Sequence, residues 1–221
     1  MVSIALDGPS GSGKSTVSKI IAGELGFMSV DTGALYRSVA YFMQKDNIDF
    51  MNESEVSSYL KNMNLKIRNN DGKQQILFGD HVLDKELRTP SVTEISSIIA
   101  KYSCVRNFLL EIQREFAKDY NIVIDGRDIG TVVLPNADVK IFLTASPEVR
   151  AKRRLNQMVS NGIKAEYSEI LEAINKRDYE DEHRKIAPLK MATDAILVDN
   201  SDYDLKQTVD KILTIIKEKI G

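Results

Sequence analysis

Short apolar runs alternate along the chain with longer segments in which apolar residues recur three and four positions apart. The first pattern is typical of buried strands and the second of amphipathic helices. Strands that alternate with helices predict an α/β fold, in which a mostly parallel sheet carries helices on both faces. The predicted strands are 2–6, 27–30, 122–124, 139–143 and 195–198, and the predicted helices are 16–25, about 34–43, 107–120, 147 onward and 205–216.

Between residues 65 and 83 the pattern differs from the rest of the chain. The apolar-polar runs 65–68 and 75–78 flank the sequence Asn-Asn-Asp-Gly, which is a strong signal for a β-hairpin turn. A further short strand is predicted at 81–83, after a Gly-Asp turn. We therefore expect a small antiparallel β insertion within the α/β fold.

The loop between the first predicted strand and the first predicted helix, residues 8–15, has the pattern G-x-x-x-x-G-K-[ST] and is called the phosphate loop below. Glycine lets successive backbone N–H groups turn inward toward an anion, and the positive end of the helix dipole faces the same point. Lys14 adds a positive charge, and the Ser15 hydroxyl is suited to hold Mg²⁺ beside the β- and γ-phosphates. A nucleoside triphosphate site is therefore predicted. Its residues are Gly8, Pro9, Ser10, Gly11, Ser12, Gly13, Lys14, Ser15 and Thr16.

Length, charge and cysteine content limit the remaining possibilities. A chain of 221 residues is long for one small domain and short for two, so a single domain over residues 1–221 with insertions is expected. The formal net charge of −2 argues against a general nucleic-acid binder. No apolar run approaches the about 20 residues that a membrane span needs, and a single cysteine suits a reducing compartment. We therefore expect a soluble cytoplasmic protein without a membrane partner.

A second candidate site, residues 125–128 with the sequence Asp-Gly-Arg-Asp, follows a short apolar strand. A carboxylate at the end of a strand downstream of a phosphate loop is where such proteins hold Mg²⁺ or its waters. Arg127 is available to neutralise phosphate charge, and Asp128 adds a second carboxylate. The same residues can also form a turn with an internal ion pair, since Asp-Gly is common in turns. Asp125 is predicted to join Ser15 as a Mg²⁺ ligand.

A basic cluster in the helix that opens at residue 147 suggests further anion contacts. Arg150, Arg153 and Arg154 are three and four residues apart, so they are predicted to share one helix face. Such a face suits clamping a multiply charged phosphate chain. Because ligands of parallel sheets bind beyond the carboxyl ends of the strands, the phosphate loop, residues 125–128 and this helix are expected to meet at one edge.

The charged helical stretch before residue 184 carries two overlapping patterns. Arg177, Asp181 and Arg184 share one face, which is consistent either with part of an anion site or with a ladder of surface ion pairs. Residues 175–178 match the N-K-x-D pattern with which GTPases read guanine, although that motif should follow an apolar strand. A small P-loop kinase for some acceptor and a GTPase-like switch are both open on these patterns alone.

Four segments taken together resemble the bacterial cytidylate kinases, a family of nucleoside monophosphate kinases. They are residues 7–16, 31–37, the D-G-R-D-I-G-T-V-V block at 125–133, and 177–184 followed by Ala-Pro-Leu at 187–189. The resemblance implies reversible transfer of the ATP γ-phosphoryl group to CMP or dCMP, with Mg²⁺, in a P-loop NTPase fold. It also implies a monophosphate-binding region over 31–105 that contains the hairpin, and a helical lid over 146–167. A monomer is expected.

The resemblance further implies roles for individual residues. Ser97 and Arg106 would read the cytosine base, while Arg127 and Arg177 would bind the acceptor phosphate. The implied CMP-binding residues are Thr32, Tyr36, Arg37, Ser97, Arg106, Arg127, Asp128, Arg177, Asp181 and Arg184. The implied catalytic residues are Lys14, Arg127, Asp128 and Arg154, and the residues that join the phosphate loop in binding ATP are Arg150 and Arg154.

Overall fold

One sheet with helices on both faces organises the chain. The computed structural model describes residues 1–160 and 162–221, apart from the side chains of Lys73 and Arg88. The strands are β1 (Ser3–Asp7), β2 (Met28–Asp31), β3 (Leu65–Asn70), β4 (Lys73–Phe78), β5 (His81–Leu83), β6 (Ile122–Gly126), β7 (Val139–Thr144) and β8 (Ile196–Asp199). The α-helices are α1 (Lys14–Leu25), α2 (Thr32–Lys45), α3 (Glu53–Leu60), α4 (Pro90–Ile99), α5 (Ser103–Asp119), α6 (Pro147–Ser160), α7 (Tyr167–His183) and α8 (Leu205–Ile220). A 3₁₀ turn (Lys85–Arg88) and a π-helical turn (Ile129–Val133) lie between them.

The strand order brings the predicted ligand-binding segments to one edge of the sheet. The order is β3-β4-β2-β6-β1-β7-β8, with β5 paired to β4. The strands from β2 to β8 in this order are parallel to their neighbours. Their register places Asp125 beside both Leu6 and Asp31, so the carboxyl ends of β6, β1 and β2 lie side by side. The predicted α/β fold with a mostly parallel sheet is confirmed.

The predicted hairpin is confirmed, but it is continuous with the main sheet. Strands β3 and β4 pair in antiparallel register, and β5 adds to β4 as the predicted third strand. The turn residues Asp71 and Gly72 have φ of 52° and 75°, the positive values that a tight hairpin turn requires. The start of β4 pairs with Ser29 of β2 in parallel. The insertion therefore extends the edge of the parallel sheet.

Alternate residues of the central strands pack on opposite faces of the sheet. In β1, Ile4 and Leu6 pack with α1 and α8, whereas Ala5 packs with residues from the neighbouring strands and α5 on the other face. All three side chains are buried. Burial on both faces is what parallel strands covered by two helix layers require. The rigid centre of the sheet thus ends directly at the phosphate loop.

Some helix starts differ from those predicted, because the apolar period does not mark the first turn of a helix. Helix α1 begins at Lys14 and α2 at Thr32, each two residues before the predicted start. Asp31, the last residue of β2, caps α2 by accepting a hydrogen bond from its first turn at 3.0 Å. Helices α3 and α4 were not predicted, although Asn52 and Thr89 cap them in the same way. Among the described helices, none is both long and apolar enough to cross a membrane.

Candidate active site

A cavity of about 320 Å³ lies at the carboxyl edge of the sheet, between the phosphate loop and helices α2, α4, α5 and α7. It brings together most residues that the sequence predicted for the two ligands. Those that line it are Ser10, Gly11, Gly13, Lys14, Ser15, Thr16, Thr32, Tyr36, Arg37, Ser97, Arg106, Asp125, Arg127, Asp128, Arg177, Asp181 and Arg184. The lining does not include Gly8, Pro9, Ser12, Arg150 or Arg154.

The phosphate loop is shaped by a glycine at its start and by its own lysine. Gly8 has a φ of 148°, and a side chain at this position would collide with the backbone carbonyl of Leu143. Lys14 Nζ donates hydrogen bonds to the Pro9 carbonyl at 2.6 Å and to Ser12 Oγ at 3.3 Å. Pro9 and Ser12 therefore fix the curvature of the loop from outside the cavity.

The Lys14 ammonium group is poised for an anion. Burial and the nearby charge of Arg127 lower the pKa of Lys14 well below its usual value, although the carboxylates of Asp125 and Asp7 oppose the shift. Within the described part of the chain, Lys14 forms no salt bridge, and its hydrogen bonds go to neutral groups. The phosphates of a bound triphosphate would supply the missing negative charge.

Asp125 and Ser15 meet at the base of the cavity. Ser15 Oγ donates to Asp125 Oδ2 at 2.6 Å, and Ser18 Oγ donates to Asp125 Oδ1 at 3.0 Å. Thr32 Oγ1 donates to the backbone carbonyl of Asp125 at 2.8 Å. Burial and the nearby Asp31 carboxylate raise the pKa of Asp125 to about 6, while the hydrogen bond from Ser15 limits the rise. This carboxylate thus lies deep in the site with a hydroxyl beside it.

The Ser15–Asp125 pair fits a magnesium ion. Hydroxyl and carboxylate oxygens are hard ligands, and Mg²⁺ usually takes one or two protein carboxylates together with water and substrate phosphates. Among the described residues, no group of three or more His, Cys, Asp or Glu side chains is arranged to hold a metal ion. A cation at Asp125 would also offset the burial that raises its pKa. The donor set suits an ion that is shared with a nucleotide.

Asp128 lies between two arginines that also line the cavity. Its Oδ2 accepts a hydrogen bond from Arg106, and its Oδ1 pairs with Arg184 Nη2 at 3.4 Å. Arg106 also donates to the Ala100 carbonyl at 3.2 Å and lies 5.8 Å from the centre of the Tyr36 ring. Burial raises the pKa of Tyr36 to about 12, so its hydroxyl stays protonated. Asp128, Arg106, Arg184 and Tyr36 form one wall of the cavity, called the arginine wall below. It offers hydrogen-bond donors and one acceptor to a polar ligand.

Asp181 connects this wall to the middle of the cavity. Arg127 Nε donates to Asp181 Oδ2 at 2.9 Å, and Arg184 pairs with Asp181 Oδ1 at 3.5 Å. Burial acts to raise the pKa of Asp181, but Arg127 and Arg184 outweigh it and hold the pKa below its usual value. Arg37 is separately paired with Asp31 at 3.1 Å. Most cations of the cavity are therefore balanced by carboxylates.

Arg177 is the exception among these arginines. Its guanidinium forms no hydrogen bond or ion pair with any described residue, and its Nε is buried without a partner. Burial and the charge of Arg127 lower the pKa of Arg177, with a further contribution from Arg37, although Asp181 opposes them. A buried charge without a partner is costly. Because Arg177 lines the cavity, an anionic ligand would complete it.

Arg150 supports the phosphate loop from behind instead of lining the cavity. Its Nη1 donates to the Ser10 carbonyl at 3.0 Å, its Nε donates to the Ala145 carbonyl at 2.8 Å, and its Nη2 pairs with Asp178 at 2.6 Å. Asp178 belongs to the N-K-x-D sequence, which lies inside α7 and does not follow a strand. This position does not support the guanine-reading alternative.

The other two arginines of α6 point elsewhere, so the three do not share one ligand-facing side. Arg153 donates to the Asn200 side chain at 3.0 Å and to the Asn200 backbone carbonyl at 2.8 Å. Arg154 is bonded to Gln157 at 2.9 Å, within its own helix. Residues three and four apart are neighbours on a helix, but long side chains reach whichever acceptors lie nearby. The ATP-binding roles of Arg150 and Arg154 stay predictions.

Comparison with known proteins decides the family. The sequence model of the family described as cytidylate kinase matches residues 4–218. The chain belongs to this family. The cytidylate kinase of Thermosipho melanesiensis is 43% identical over 216 residues, which cover 98% of this chain and 97% of the relative. That of Clostridium botulinum strain Hall is 42% identical over 217 residues, which cover 98% of each.

The cytidylate kinase fold extends to proteins of low sequence identity. A solved structure, of an uncharacterized protein from Eubacterium ventriosum ATCC 27560, aligns with a TM-score of 0.55 and 14% identity, covering 98% of this chain and 99% of that chain. This likeness shows the fold alone. The family match confirms the predicted resemblance and the predicted enzyme class, a nucleoside monophosphate kinase.

Two residues of this cytidylate kinase family member that were not predicted as site residues support the site from outside the cavity. Asp7 accepts hydrogen bonds from the Ile129 and Gly130 N–H groups at 2.8 and 2.7 Å. Asn200 Nδ2 donates to the Ser12 carbonyl at 3.1 Å. Asp7 ends β1 and Asn200 follows β8, both at the ligand edge of the sheet, which is the signal that could have marked them.

Proposed function

We propose that the protein transfers the γ-phosphoryl group of ATP to CMP or dCMP, giving CDP or dCDP and ADP. The observation that carries this proposal is one cavity that is lined by the phosphate loop with Lys14, by Arg127 and by Arg177, whose Nε has no partner among the described residues. Phosphoryl transfer needs two anions held in line and their charge spread over cations, with little proton chemistry. Cations from separate elements around one cavity meet that need.

On the donor side, the phosphate loop binds the triphosphate and Lys14 neutralises its terminal phosphate. Region 146–167, mostly α6, is assigned as the lid that excludes water, and residue 161 of this region lies outside the described residues. Arg150 and Arg154 are assigned to ATP. The bond from Arg150 to the Ser10 carbonyl supports this assignment, because it already joins α6 to the phosphate loop.

On the acceptor side, region 31–105 and the arginine wall bind the monophosphate. Arg127 and Arg177 hold the phosphate, and Asp181 accepts from the ribose hydroxyl. Arg106 and Ser97 read the base together with Arg184, and Asp128 is assigned as a further contact of CMP, close to its phosphate. Ser97 lines the cavity while its hydroxyl donates to the Thr93 carbonyl at 3.1 Å, which leaves its oxygen free to accept. The remaining contacts are assigned to Thr32, Tyr36 and Arg37.

Mg²⁺ is proposed at Ser15 and Asp125. When bound, the ion would neutralise charge on the β- and γ-phosphate oxygens. The two side chains would hold it, and the hydrogen bond between Thr32 and the Asp125 carbonyl fixes the end of β6 that presents the carboxylate.

Asp125→Asn is expected to raise the Mg²⁺ concentration needed for half-maximal turnover, because an amide replaces the only carboxylate assigned to the ion. The measurement is initial rate against Mg²⁺ at constant ATP. Ser18→Ala is the matched control, since it removes the other hydroxyl that contacts Asp125 and no assigned ligand. An unchanged Mg²⁺ requirement in Asp125→Asn would contradict the assignment.

Arg106→Ala is expected to raise the apparent KM for CMP by about ten- to a hundredfold, because hydrogen bonds to charged groups are among the stronger ones. The KM for ATP should change little, since Arg106 belongs to the arginine wall, which is assigned to CMP. Lys101→Ala, which removes an exposed cation paired with Glu180, is the control and should alter neither constant. Equal losses for both substrates would identify Arg106 as structural.

The proposed function is tested by coupled measurement of ADP formation with CMP, dCMP, UMP, AMP and shikimate as acceptors. CMP or dCMP is expected to give the highest kcat/KM. Little turnover with either, and more with another acceptor, would overturn the proposal in favour of a different small P-loop kinase. We further propose that the active protein is a monomer, which sedimentation equilibrium tests.

A further inference from the structure

The turn that follows Asp128 lacks the cap that its sequence would normally provide. The π-helical turn Ile129–Val133 begins directly after Asp128, which holds the N-cap position. An aspartate there usually accepts hydrogen bonds from the first free N–H groups of the turn. The Asp128 side chain makes no such bond and is instead directed to Arg106 and Arg184.

Asp7 supplies the missing cap from a different element. One of its carboxylate oxygens accepts from the Ile129 N–H at 2.8 Å and the other from the Gly130 N–H at 2.7 Å. Asp7 ends β1, is only 5% exposed, and does not line the cavity. A side-chain atom at Gly130 would come within 3.4 Å of Asp7 and 3.1 Å of Lys140, so the turn sits closely against its support.

We propose that Asp7 is a positioning residue for the acceptor site, and that by capping the turn in place of Asp128 it leaves the Asp128 carboxylate to hold Arg106 and Arg184. The proposal rests on the proposed function, since it assigns those arginines to CMP. Without Asp7, two N–H groups of a buried turn would lose their acceptor, which is costly. The Asp128 carboxylate would then turn back to cap its own backbone and release the arginines.

The other end of the same turn is also held from outside the cavity. Arg114 of α5 donates to the Val133 carbonyl at 2.9 Å and to the Val132 carbonyl at 2.8 Å. Burial raises the pKa of Asp7 to about 6, and the two N–H donors restrain the rise because they favour the ionised carboxylate. Strand β1 and helix α5 together thus fix the turn that places Asp128.

The first test is Asp7→Asn, which keeps the shape but can accept at only one side-chain atom. Equilibrium binding of CMP by calorimetry is expected to weaken about tenfold, as for loss of a hydrogen bond to a charged group. ATP affinity should be retained, and KM for CMP should change more than kcat. Asp138→Asn is the control, because Asp138 also accepts a backbone N–H of β1, that of Ser3 at 2.8 Å, but at the exposed far end of the strand.

A double-mutant cycle distinguishes action through Asp128 from a general structural role. Adding Asp7→Asn to Asp128→Asn is expected to weaken CMP binding little further, because the carboxylate on which Asp7 acts is already gone. Additive losses, or an equal loss of ATP affinity in Asp7→Asn, would overturn the proposal. A wild-type chain that does not bind CMP would instead contradict the proposed function.

A measurement on the wild-type chain covers the case in which Asp7→Asn does not fold. The Ile129 and Gly130 amide protons are expected to exchange with solvent as slowly as those of the central strands, because each is bonded to a buried carboxylate. Fast exchange at these two amides would show that Asp7 does not cap the turn and would overturn the proposal.

Discussion

Lys14→Ala is expected to lower turnover by about two to three orders of magnitude, the usual result of removing one preorganised electrostatic contact to the transition state. The phosphate loop curls around the Lys14 ammonium through its bonds to Pro9 and Ser12. Burial and the nearby charge of Arg127 lower the pKa of Lys14, and the phosphates of a bound triphosphate would oppose that shift. Steady-state rates with saturating ATP and CMP measure the effect.

Two comparison variants separate the loss of charge from other consequences. Lys14→Met fills much of the same space without the charge, and it should be as inactive as Lys14→Ala. Lys19→Ala removes an exposed cation from the same helix and should retain full turnover. Thermal denaturation of all three checks that the fold is intact. Near-normal turnover of Lys14→Met would contradict the assigned role of the phosphate loop.

The phosphate loop could be predicted because its function lies in consecutive residues. The pattern of glycines sets backbone conformation directly, and Gly8 shows why no other residue fits against the Leu143 carbonyl. The strand before it and the helix after it follow from apolar period. Even here the pattern missed that α1 begins at Lys14, because the first turn of a helix carries no apolar repeat.

The arginines show where prediction from the sequence stopped. Arg150, Arg153 and Arg154 have the spacing of a shared face, yet each binds a different partner. Spacing determines where a side chain leaves the helix. The flexible aliphatic part of the arginine side chain and the positions of distant acceptors determine where the guanidinium binds. Asp128 was predicted as a carboxylate of the site, but its two arginine partners come from α5 and from the end of α7, which no local pattern connects.

The contacts that support the π-helical turn Ile129–Val133 could not be predicted from local sequence patterns either. Asp7 is separated by more than a hundred residues from the Ile129 and Gly130 N–H groups that it caps. A π-helical turn has no apolar repeat of its own, so the block after Asp128 gave no signal of its conformation. Only the parallel register of β1 and β6, which sets Asp7 beside Gly126, brings the carboxylate to the turn.

Arg177→Gln is expected to raise the KM for CMP by about a hundredfold while leaving the free energy of unfolding of the ligand-free protein unchanged or higher. In the free protein this guanidinium has no partner among the described residues, and burial and Arg127 lower its pKa. Asp181 offsets only part of this effect, so removing the guanidinium relieves a buried charge. With CMP bound, the same charge faces the acceptor phosphate, so the loss appears in binding and not in folding.

Opposite effects on stability and on ligand binding are the decisive result for Arg177. Urea denaturation of wild type, Arg177→Gln and Lys176→Gln gives the free energy of unfolding, and the same experiment with CMP gives the stabilisation by ligand. Lys176 is the exposed neighbour on α7, and its variant should match wild type in both. If Arg177→Gln lost stability and lost ATP and CMP affinity equally, Arg177 would be part of the scaffold. If Arg177→Gln retains its free energy of unfolding but is no longer stabilised by CMP, the function of this buried charge is to bind the acceptor phosphate.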